Sequence, residues 1–182
     1  RNELKVPVID LNNAYSKYLF DNRYGSGQSV IEGIVSATNI LIAGKTIVIV
    51  GYGRVGRGLP TRFRGMGARV IVVETTGLTT NNGKSGYHKG LEALYDGNWV
   101  SSMEDAAIQG DVFITATGSK NVISKHHIKD MKDNAILANA GHFDHEIDVV
   151  SLKNMSKSQD QVSPNLVRYK LKNVKSILLL SE

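Results

Sequence analysis

Cysteine is absent from the 182-residue chain. Its absence excludes disulfide bonds and thiolate-ligated metal sites, and it is consistent with a cytosolic protein. The sequence also has no apolar run long enough to cross a membrane, and no apolar signal-peptide core follows its first residues. We therefore expect a cytoplasmic protein with no membrane partner. No grouping of histidine, aspartate and glutamate has metal-ligand spacing, so we expect no metal site.

Blocks of like charge are missing as well. The net charge is only +5, and the lysines and arginines are scattered along the chain. Near the C-terminus the basic residues alternate with apolar ones, which is more typical of the solvated face of a strand than of a nucleic-acid site. We expect no nucleic-acid partner, and a chain of this length predicts one domain with an appendage.

The most informative stretch is a run of β-branched residues at 45–50 that ends in the turn Gly-Tyr-Gly-Arg-Val-Gly, beginning at Gly51. A helical pattern, a second apolar strand and Glu74 follow, in the order of a dinucleotide-binding unit. In such a unit Gly51 permits the tight turn, Gly53 lets the backbone approach the pyrophosphate, and Gly56 permits close helix–strand packing. A carboxylate at Glu74 binds the adenosine ribose and repels a 2′-phosphate, which favours NAD over NADP. The alternative is a glycine-rich turn that binds nothing.

Two features of this unit are unusual. The helical pattern after the turn includes Leu59 and Phe63, but Pro60 lies inside it, so the helix either begins late or bends there. The stretch 75–86 is polar, small and glycine-rich, which predicts an exposed loop near the adenine pocket. Three interpretations of this loop stay open: an insertion without function, a lid over the cofactor, and locally non-native sequence.

The N-terminal part has its own organisation. A helical pattern covers about 13–22, and the glycines and serine within 24–28 predict a break that acts as a hinge. A second helix is predicted over about 29–42. We therefore expect two units, a helical segment with its connection at 1–24 and a dinucleotide-binding domain at 25–182.

The rest of the chain alternates strand and helix patterns, as an α/β fold requires. Strands are predicted at 98–100, 112–116, 135–139 and 176–180, helices at 91–95, 103–109, 123–131 and 149–155, and alternating apolar and polar residues at 162–171. This order predicts a Rossmann-type, doubly wound parallel sheet with helices on both faces, preceded by the helical hinge segment.

Three of the predicted strands end in polar or glycine-rich turns, at 51–53, 117–119 and 139–142. In a doubly wound sheet the carboxyl ends of the strands meet at one edge, where ligands bind. Since the first turn takes the pyrophosphate, the other two would flank the nicotinamide. His142 is then a candidate acid/base or polar contact, and the alternative is a histidine that only hydrogen-bonds its own turn.

Several separate motifs resemble the NAD-binding domain of the S-adenosyl-L-homocysteine hydrolase family, over nearly the whole chain. They are Ser16–Gly25 (SKYLFDNRYG), Ala43–Lys45 (AGK), Gly51–Gly58 (GYGRVGRG), Arg64–Val70 (RGMGARV), Thr115–Gly118 (TATG), Asn139–Asp148 (NAGHFDHEID) and Leu179–Glu182 (LLSE). The Lys-x-x-x-Asp-Asn and Gly-His-Phe-Asp sequences are far more specific than the glycine turn.

The resemblance implies roles for individual residues. Lys17 would contact the substrate's 3′-hydroxyl and assist its deprotonation, Asp21 would bind the ribose hydroxyls, and Asn22 would support that geometry. His142 would lie near the nicotinamide and the reacting ribose. The implied cofactor-binding residues are Gly51, Gly53, Arg54, Val55, Gly56, Glu74, Thr115, Ala116, Thr117, Asn139, Ala140, Gly141 and His142.

The implied reaction is the reversible hydrolysis of S-adenosyl-L-homocysteine to adenosine and homocysteine, through transient NAD-dependent oxidation of the ribose 3′-hydroxyl. The resemblance also implies a homo-oligomeric parent enzyme, tetrameric in the family. Because the family's N-terminal substrate-binding domain and C-terminal tail have no counterpart here, we expect the chain alone to be inactive. Segment 1–24 would be the catalytic-motif helix and the connection from that substrate domain.

The chain departs from the family after Glu74, where the 75–86 loop replaces a short turn and Lys89 stands about where a cofactor-contacting asparagine belongs. Two other functions stay open. One is a non-catalytic, NAD-dependent regulatory module with a hydrolase-like fold, which an intact Lys17, Asp21 and Asn22 argue against. The other is the cofactor domain of a 2-hydroxy-acid dehydrogenase, which would have an arginine where 119–121 reads Ser-Lys-Asn.

Overall fold

The computed structural model of the chain describes residues 5–74 and 86–180, so the predicted loop lies outside the described residues except for Gly86. The helices are α1 (Ser26–Thr38), α2 (Leu59–Gly65), α3 (Tyr87–Tyr95), α4 (Met103–Gln109), α5 (Lys125–Asp130) and α6 (Val149–Met155). The strands are β1 (Thr46–Val50), β2 (Arg69–Val73), β3 (Trp99–Ser101), β4 (Val112–Thr115), β5 (Ala135–Asn139), β6 (Ser156–Ser163), β7 (Leu166–Leu171) and β8 (Ser176–Leu180). A π-helical segment, Lys17–Gly25, precedes α1, and 3₁₀ turns occupy Gly56–Gly58 and Asp144–Glu146.

Within the described residues, eight strands form one sheet in the order β3-β2-β1-β4-β5-β8-β7-β6. Neighbouring strands from β3 to β8 pair in parallel, whereas β7 pairs antiparallel with both of its neighbours, β8 and β6. The strand order reverses between β1 and β4, which places a ligand crevice at their carboxyl ends. The predicted Rossmann-type sheet is confirmed.

The central strands are buried on both faces, because helices cover each side of the sheet. On one face Val48, Phe113 and Leu137 pack with α4, α5 and α6. On the other face Ile49 and Ile114 pack with α1, α2 and α3. These two apolar layers explain the nearly continuous apolar strands of the sequence, which are typical of parallel sheets. The same packing fixes the ends of β1, β4 and β5, from which the three turns at the carboxyl edge extend.

The predicted break at 24–28 is wrong. The helix continues from Tyr15 to Thr38, with π-helical hydrogen bonding over Lys17–Gly25 and α-helical bonding afterwards. Gly27 is buried there, and a Cβ on it would lie 2.9 Å from the Gly58 carbonyl oxygen. Glycine at this position therefore permits close contact between two segments rather than a turn. The second predicted helix also ends early, at Thr38, because Asn39 adopts a left-handed conformation with φ 52°.

Pro60 fits the structure because the helix begins late. After the glycine turn the chain makes the 3₁₀ turn Gly56–Gly58, and α2 starts only at Leu59, with Pro60 in its first turn. An N–H at that position has no intrahelical partner, so proline removes no hydrogen bond there. Of the two alternatives raised by the sequence, the late start is the one observed.

Strand β6 was not predicted. Its sequence, Ser-Lys-Ser-Gln-Asp-Gln-Val-Ser, is polar and mostly exposed, and it forms the edge of the sheet beside β7. The predicted continuous alternation over 162–171 is interrupted at Pro164–Asn165, where Asn165 has φ 64° and the chain reverses. No helix in the ranges 5–74 and 86–180 has the length and apolar character needed to cross a membrane.

Candidate functional site

Two of the three glycines in the first turn are required by the protein itself. Gly51 has φ 106°, and a Cβ there would lie 2.8 Å from the Ala116 carbonyl oxygen. A Cβ on Gly56 would lie 1.9 Å from the Gly51 carbonyl oxygen. The turn therefore closes tightly on itself and on the end of β4, which is the compact geometry that the fingerprint predicts.

Gly53 differs, because the protein does not crowd it. The nearest heavy atom to a Cβ on Gly53 would be the Ala116 carbonyl oxygen, at 4.0 Å. Glycine at this position is thus not explained by packing within the chain. Open space beside a bare backbone suits the close approach of a pyrophosphate, so the residues present fit a dinucleotide.

Glu74 follows β2 directly, and its carboxylate accepts a hydrogen bond from the Tyr52 backbone N–H. The carboxylate therefore lies at the glycine turn, as the ribose-binding role requires. A cavity of about 370 Å³ opens beside it, lined mainly by the apolar side chains of α3 and β3. The lining residues are Glu74, Gly86, Tyr87, Gly90, Leu91, Leu94 and Val100. The sequence predicted the acid but not the cavity. No local pattern indicates that α3 packs beside Glu74.

The Tyr52 side chain anchors the glycine turn to the residues that precede β3. It is buried, and its hydroxyl donates to Asp96 at 2.6 Å and accepts from Asn98 Nδ2 at 3.3 Å. Burial raises the pKa of Tyr52 above its ordinary value, and the hydrogen bond to Asp96 raises it further. Arg64 holds the same region by donating to the Asn98 side chain at 2.7 Å and to the Gly97 carbonyl at 2.9 Å. This network fixes the chain before β3.

The second and third turns are joined by Glu146, a residue that sequence reasoning did not select. Its buried carboxylate accepts hydrogen bonds from the Thr117 N–H at 2.9 Å, the Thr117 hydroxyl at 2.7 Å and the Gly118 N–H at 2.9 Å. A Cβ on Gly141 would lie 1.8 Å from Glu146 Oε1, so this turn passes directly over the carboxylate. Glu146 thereby fixes the spacing of two turns that come from different strands.

Asn139 organises the third turn from within. Its side-chain oxygen accepts from the Thr115 hydroxyl at 3.0 Å and from the Gly141 N–H at 2.8 Å, and its Nδ2 donates to the Phe143 carbonyl. His142 is exposed beside it, with its ring edge-on to Phe143 at 5.1 Å. In the described part of the chain the His142 ring makes no hydrogen bond, so the structure does not support the alternative of a ring bound to its own turn. Its acid/base role stays a prediction.

Lys17, Asp21 and Asn22 form one group on the π-helical segment. Lys17 Nζ donates to the Asp21 carboxylate and to Asn22 Oδ1 at 3.3 Å. A π-helix bonds residue i+5 to residue i, so residues i+4 and i+5 both lie beside residue i. In an α-helix only residues three and four apart are neighbours. The π-helix therefore brings both partners to the lysine, which the sequence pattern alone did not predict for Asn22.

The helix that carries the lysine group contacts the glycine turn. The Arg54 guanidinium lies 4.3 Å from the centre of the Tyr18 ring and donates to the Asn12 carbonyl at 3.0 Å. Tyr18 follows Lys17 directly, so the π-helix and the turn are in contact. Among the described residues, no hydrogen bond joins His142 to the lysine group. The structure thus brings the catalytic candidates of the N-terminal helix beside the dinucleotide turn and leaves His142 at the third turn.

A second cavity, of about 420 Å³, lies toward the opposite, amino edge of the sheet between α5, α6 and β7. Its lining residues are Lys125, Lys129, Asn154, Met155, Leu171, Lys172 and Asn173, and none of them is a predicted site residue. In the described ranges, no cluster of three histidine, aspartate or glutamate residues could hold a metal ion. The candidate site is therefore the carboxyl edge.

A sequence model of the family described as "S-adenosyl-L-homocysteine hydrolase, NAD binding domain" matches residues 22–182. The chain belongs to this family. The resemblance drawn from the motifs is confirmed, and NAD is the cofactor of the S-adenosyl-L-homocysteine hydrolase domain that the chain represents. Membership also argues against the cofactor domain of a 2-hydroxy-acid dehydrogenase.

Similar proteins agree with this family. An adenosylhomocysteinase from Sulfurisphaera tokodaii is 58% identical over 179 residues, which cover 98% of this chain and 41% of the relative. An S-inosyl-L-homocysteine hydrolase from Methanocaldococcus jannaschii is 51% identical, again over 98% of this chain and 40% of the relative. The chain thus spans about two fifths of the length of these relatives. A dipicolinate synthase from Bacillus halodurans shares the fold alone, with a TM-score of 0.63 at 15% identity over 80% of this chain and 47% of that structure.

Proposed function

We propose that this chain is the part of an adenosylhomocysteinase that holds NAD and contributes the ribose-facing lysine group. The intact enzyme would hydrolyse S-adenosyl-L-homocysteine reversibly to adenosine and homocysteine. The observation that carries the proposal is the contact between the two parts of the site. A glycine turn with open space at Gly53 lies against the helix that presents Lys17, Asp21 and Asn22.

The proposed cofactor site follows the carboxyl edge. The turn from Gly51 to Gly56 would bind the pyrophosphate, and Glu74 would accept hydrogen bonds from the adenosine ribose. The cavity beside Glu74 is apolar enough to take the adenine ring. The two turns joined by Glu146 would flank the nicotinamide. When bound, NAD supplies a hydride acceptor for the substrate's 3′-carbon and returns the hydride at the end of the reaction.

The lysine group would assist removal of the proton from the 3′-hydroxyl. Lys17 can accept that proton only in its neutral form, and its Nζ is hydrogen-bonded to the Asp21 carboxylate. We infer that the substrate's ribose hydroxyls draw Asp21 away from Lys17, and that Asn22 keeps the amine in place meanwhile. Binding of substrate would thereby prepare the base.

The assignment of Lys17 can be tested in a chimera. In it, this chain replaces the aligned 179 residues of the Sulfurisphaera tokodaii relative. Adenosine is added to the NAD-loaded chimera, and NADH formation is followed by absorbance. Lys17→Met should slow NADH formation by about 100-fold or more, in the range that general base catalysis contributes, with bound NAD unchanged. A full rate in this variant would contradict the assignment.

Cofactor choice is tested on the chain itself by calorimetry with NAD+ and NADP+. We expect NAD+ to bind more tightly, because the Glu74 carboxylate repels a 2′-phosphate. Tight binding of NADP+ without NAD+ would refute the role given to Glu74. Binding of NAD+ by a chimera that never forms NADH would favour the non-catalytic module instead.

The identity of the purine is a separate question. Since an S-inosyl-L-homocysteine hydrolase matches this domain at 51% identity, similarity in this part of the enzyme does not distinguish the two bases. We infer that the base is read elsewhere in the enzyme, so the chimera should keep its host's preference for adenosine over inosine. A reversed preference would place base recognition in this chain.

Further assignments are proposals of the same kind. We propose a cytoplasmic enzyme of one-carbon metabolism that forms a homotetramer and has no nucleic-acid or membrane partner. The resemblance and the composition support these further assignments. Sedimentation of the chimera tests the oligomeric state.

A further inference from the structure

Residues 23–27, which span the end of the π-helix and the start of α1, meet Gly58, the last residue of the 3₁₀ turn, through bare backbone. A Cβ on Gly58 would lie 2.1 Å from the Arg23 carbonyl oxygen. A Cβ on Gly27 would lie 2.9 Å from the Gly58 carbonyl oxygen. Two glycines, one from each segment, therefore permit a contact that no side chain would allow. We call the contact between residues 23–27 and Gly58 the junction.

Arg62 closes the junction. Its Nη1 donates to the Arg23 carbonyl at 3.2 Å and to the Gly58 carbonyl at 2.9 Å, and its Nη2 donates to the Tyr24 carbonyl at 3.0 Å. Its guanidinium carbon also lies 5.4 Å from the centre of the Tyr24 ring. A planar guanidinium presents several donors in fixed directions, so it can bind carbonyls of both segments at once, which a lysine cannot reproduce.

Two of the carbonyls that Arg62 binds, those of Arg23 and Tyr24, lie where the π-helix ends. The Ser26 N–H still donates to the Asp21 carbonyl, five residues back, and α-helical bonding follows. The π-helical segment contains no buried residue, although it continues into α1, which packs in the core through Ile31 and Ile34. Polar contacts from the fingerprint segment add to this anchor. Arg54 supplies one near Lys17, and Arg62 supplies two hydrogen bonds just after Asn22, to the Arg23 and Tyr24 carbonyls.

We propose that Arg62 is a positioning residue, which holds the helix carrying Lys17, Asp21 and Asn22 in its π form and in a fixed orientation to the dinucleotide turn. The proposal rests on the function proposed above. If the segment relaxed to α-helical bonding, Asn22 would leave the face of Lys17, because residue i+5 is not a neighbour of residue i in an α-helix. Arg62 does not itself face the cofactor cavity. It acts through the helix.

Arg64 provides a matched control two residues along the chain. It is also an arginine with hydrogen bonds to backbone carbonyls, but those bonds go to Asp96 and Gly97, before β3. Removal of either guanidinium deletes a similar number of hydrogen bonds. Only Arg62 connects to the lysine group, so the two variants separate positioning from general stability.

The first measurement is hydrogen–deuterium exchange on this chain. Arg62→Ala should speed amide exchange within 15–25 by about tenfold or more and leave β1 protected. Arg64→Ala should instead speed exchange near 96–101. This experiment does not depend on catalysis. Unchanged exchange within 15–25 in Arg62→Ala would overturn the proposal even if the proposed function is correct.

The second measurement uses the chimera. Arg62→Ala should slow NADH formation with adenosine by about 10- to 100-fold, because a displacement of about 1 Å can cost that much, while the Kd for NAD changes less than about threefold. Arg62→Lys should recover part of the rate, and Arg168→Ala, which removes an ion pair between β7 and Asp160, should stay within about twofold of the unmodified chimera. Equal rates in Arg62→Ala and Arg168→Ala would overturn the proposal. An unmodified chimera that forms no NADH would count against the proposed function, and the exchange measurement would still decide the role of Arg62.

Discussion

The two halves of the candidate site are built in opposite ways. The cofactor half is part of the core: Gly51 and Gly56 close on backbone atoms, and the Glu146 carboxylate is fully buried beneath two turns. The proposed catalytic half lies on the segment Lys17–Gly25, which has no buried residue and is held by arginine contacts. Substitutions in the first half should therefore act on folding, and substitutions around the second should act mainly on geometry.

The largest effect is expected from Glu146→Ala. It would leave the Thr117 N–H, the Thr117 hydroxyl and the Gly118 N–H without their acceptor, and it would open a cavity. We expect the free energy of unfolding to fall by about 4 kcal/mol, measured by urea denaturation with circular dichroism. Glu104→Ala, at an exposed position, serves as control and should cost about 0.5 kcal/mol or less. A loss below about 1 kcal/mol for Glu146→Ala would show that the turns do not depend on this carboxylate.

The next prediction compares two glycines of the first turn, one expected to matter for folding and the other for NAD binding. Gly56→Ala should destabilise the chain by about 3 kcal/mol, since the new Cβ would lie 1.9 Å from the Gly51 carbonyl oxygen. Gly53→Ala should change stability by less than about 1 kcal/mol, because its Cβ would meet nothing closer than 4.0 Å. In calorimetry, however, Gly53→Ala should weaken NAD binding by about tenfold or more. Normal NAD affinity in Gly53→Ala would place the pyrophosphate elsewhere.

The buried strands could be predicted from sequence because each contains a run of at least three apolar residues, and the order of strands and helices then limits the topology to few choices. Strand β6 could not, because Ser156–Ser163 has no apolar face and exists through its pairing with β7. Gly27 shows a further limit. A glycine that permits close backbone contact and a glycine that ends a helix have the same local sequence signature, and only the position of Gly58 distinguishes them.

The site shows the same division. The glycine turn, Glu74 and the other two turns follow from local patterns, since each is a strand followed by a turn. Glu146 does not, because its partner Thr117 is 29 residues away and its burial depends on the whole edge. Arg62 is likewise an ordinary helical arginine until the π-helix is placed against it. A residue that connects two distant elements is therefore not marked by the local sequence pattern of either one.

A smaller effect is expected at the junction between the two halves. Gly58→Ala should destabilise the chain by about 2 kcal/mol, because its Cβ would lie 2.1 Å from the Arg23 carbonyl oxygen. Gly33→Ala, in α1 with no atom near its Cβ, should stabilise the chain by about 0.5–1 kcal/mol through helix propensity. Thermal denaturation of both variants compares them directly. If Gly58→Ala stabilised the chain as Gly33→Ala is expected to do, the backbone contact at Gly58 would not limit stability.

The smallest effect concerns the amino edge of the sheet, away from both halves of the site. The Asp111 carboxylate accepts from the Thr46 N–H at 2.7 Å and from Lys132 Nζ at 2.8 Å. Burial raises the pKa of Asp111, but the hydrogen bonds from Lys132 and Thr46 outweigh burial and hold it below its ordinary value. A depressed pKa in the folded state means that the stabilisation is present above the unfolded pKa, about 3.9, and is lost as the pH falls through the folded pKa.

Asp111→Asn should therefore cost about 1 kcal/mol at pH 7 and less at pH 3, which lies below the unfolded pKa of about 3.9. Urea denaturation at both pH values measures the difference, with the exposed Asp130→Asn as control. A cost that is the same at both pH values would assign the effect to packing rather than to charge. Because Asp111 joins the starts of β1 and β4, whose other ends lead into the proposed cofactor turns, NAD affinity should stay unchanged in Asp111→Asn at pH 7. An altered affinity would show that the scaffold of the cofactor half extends through the full length of these strands.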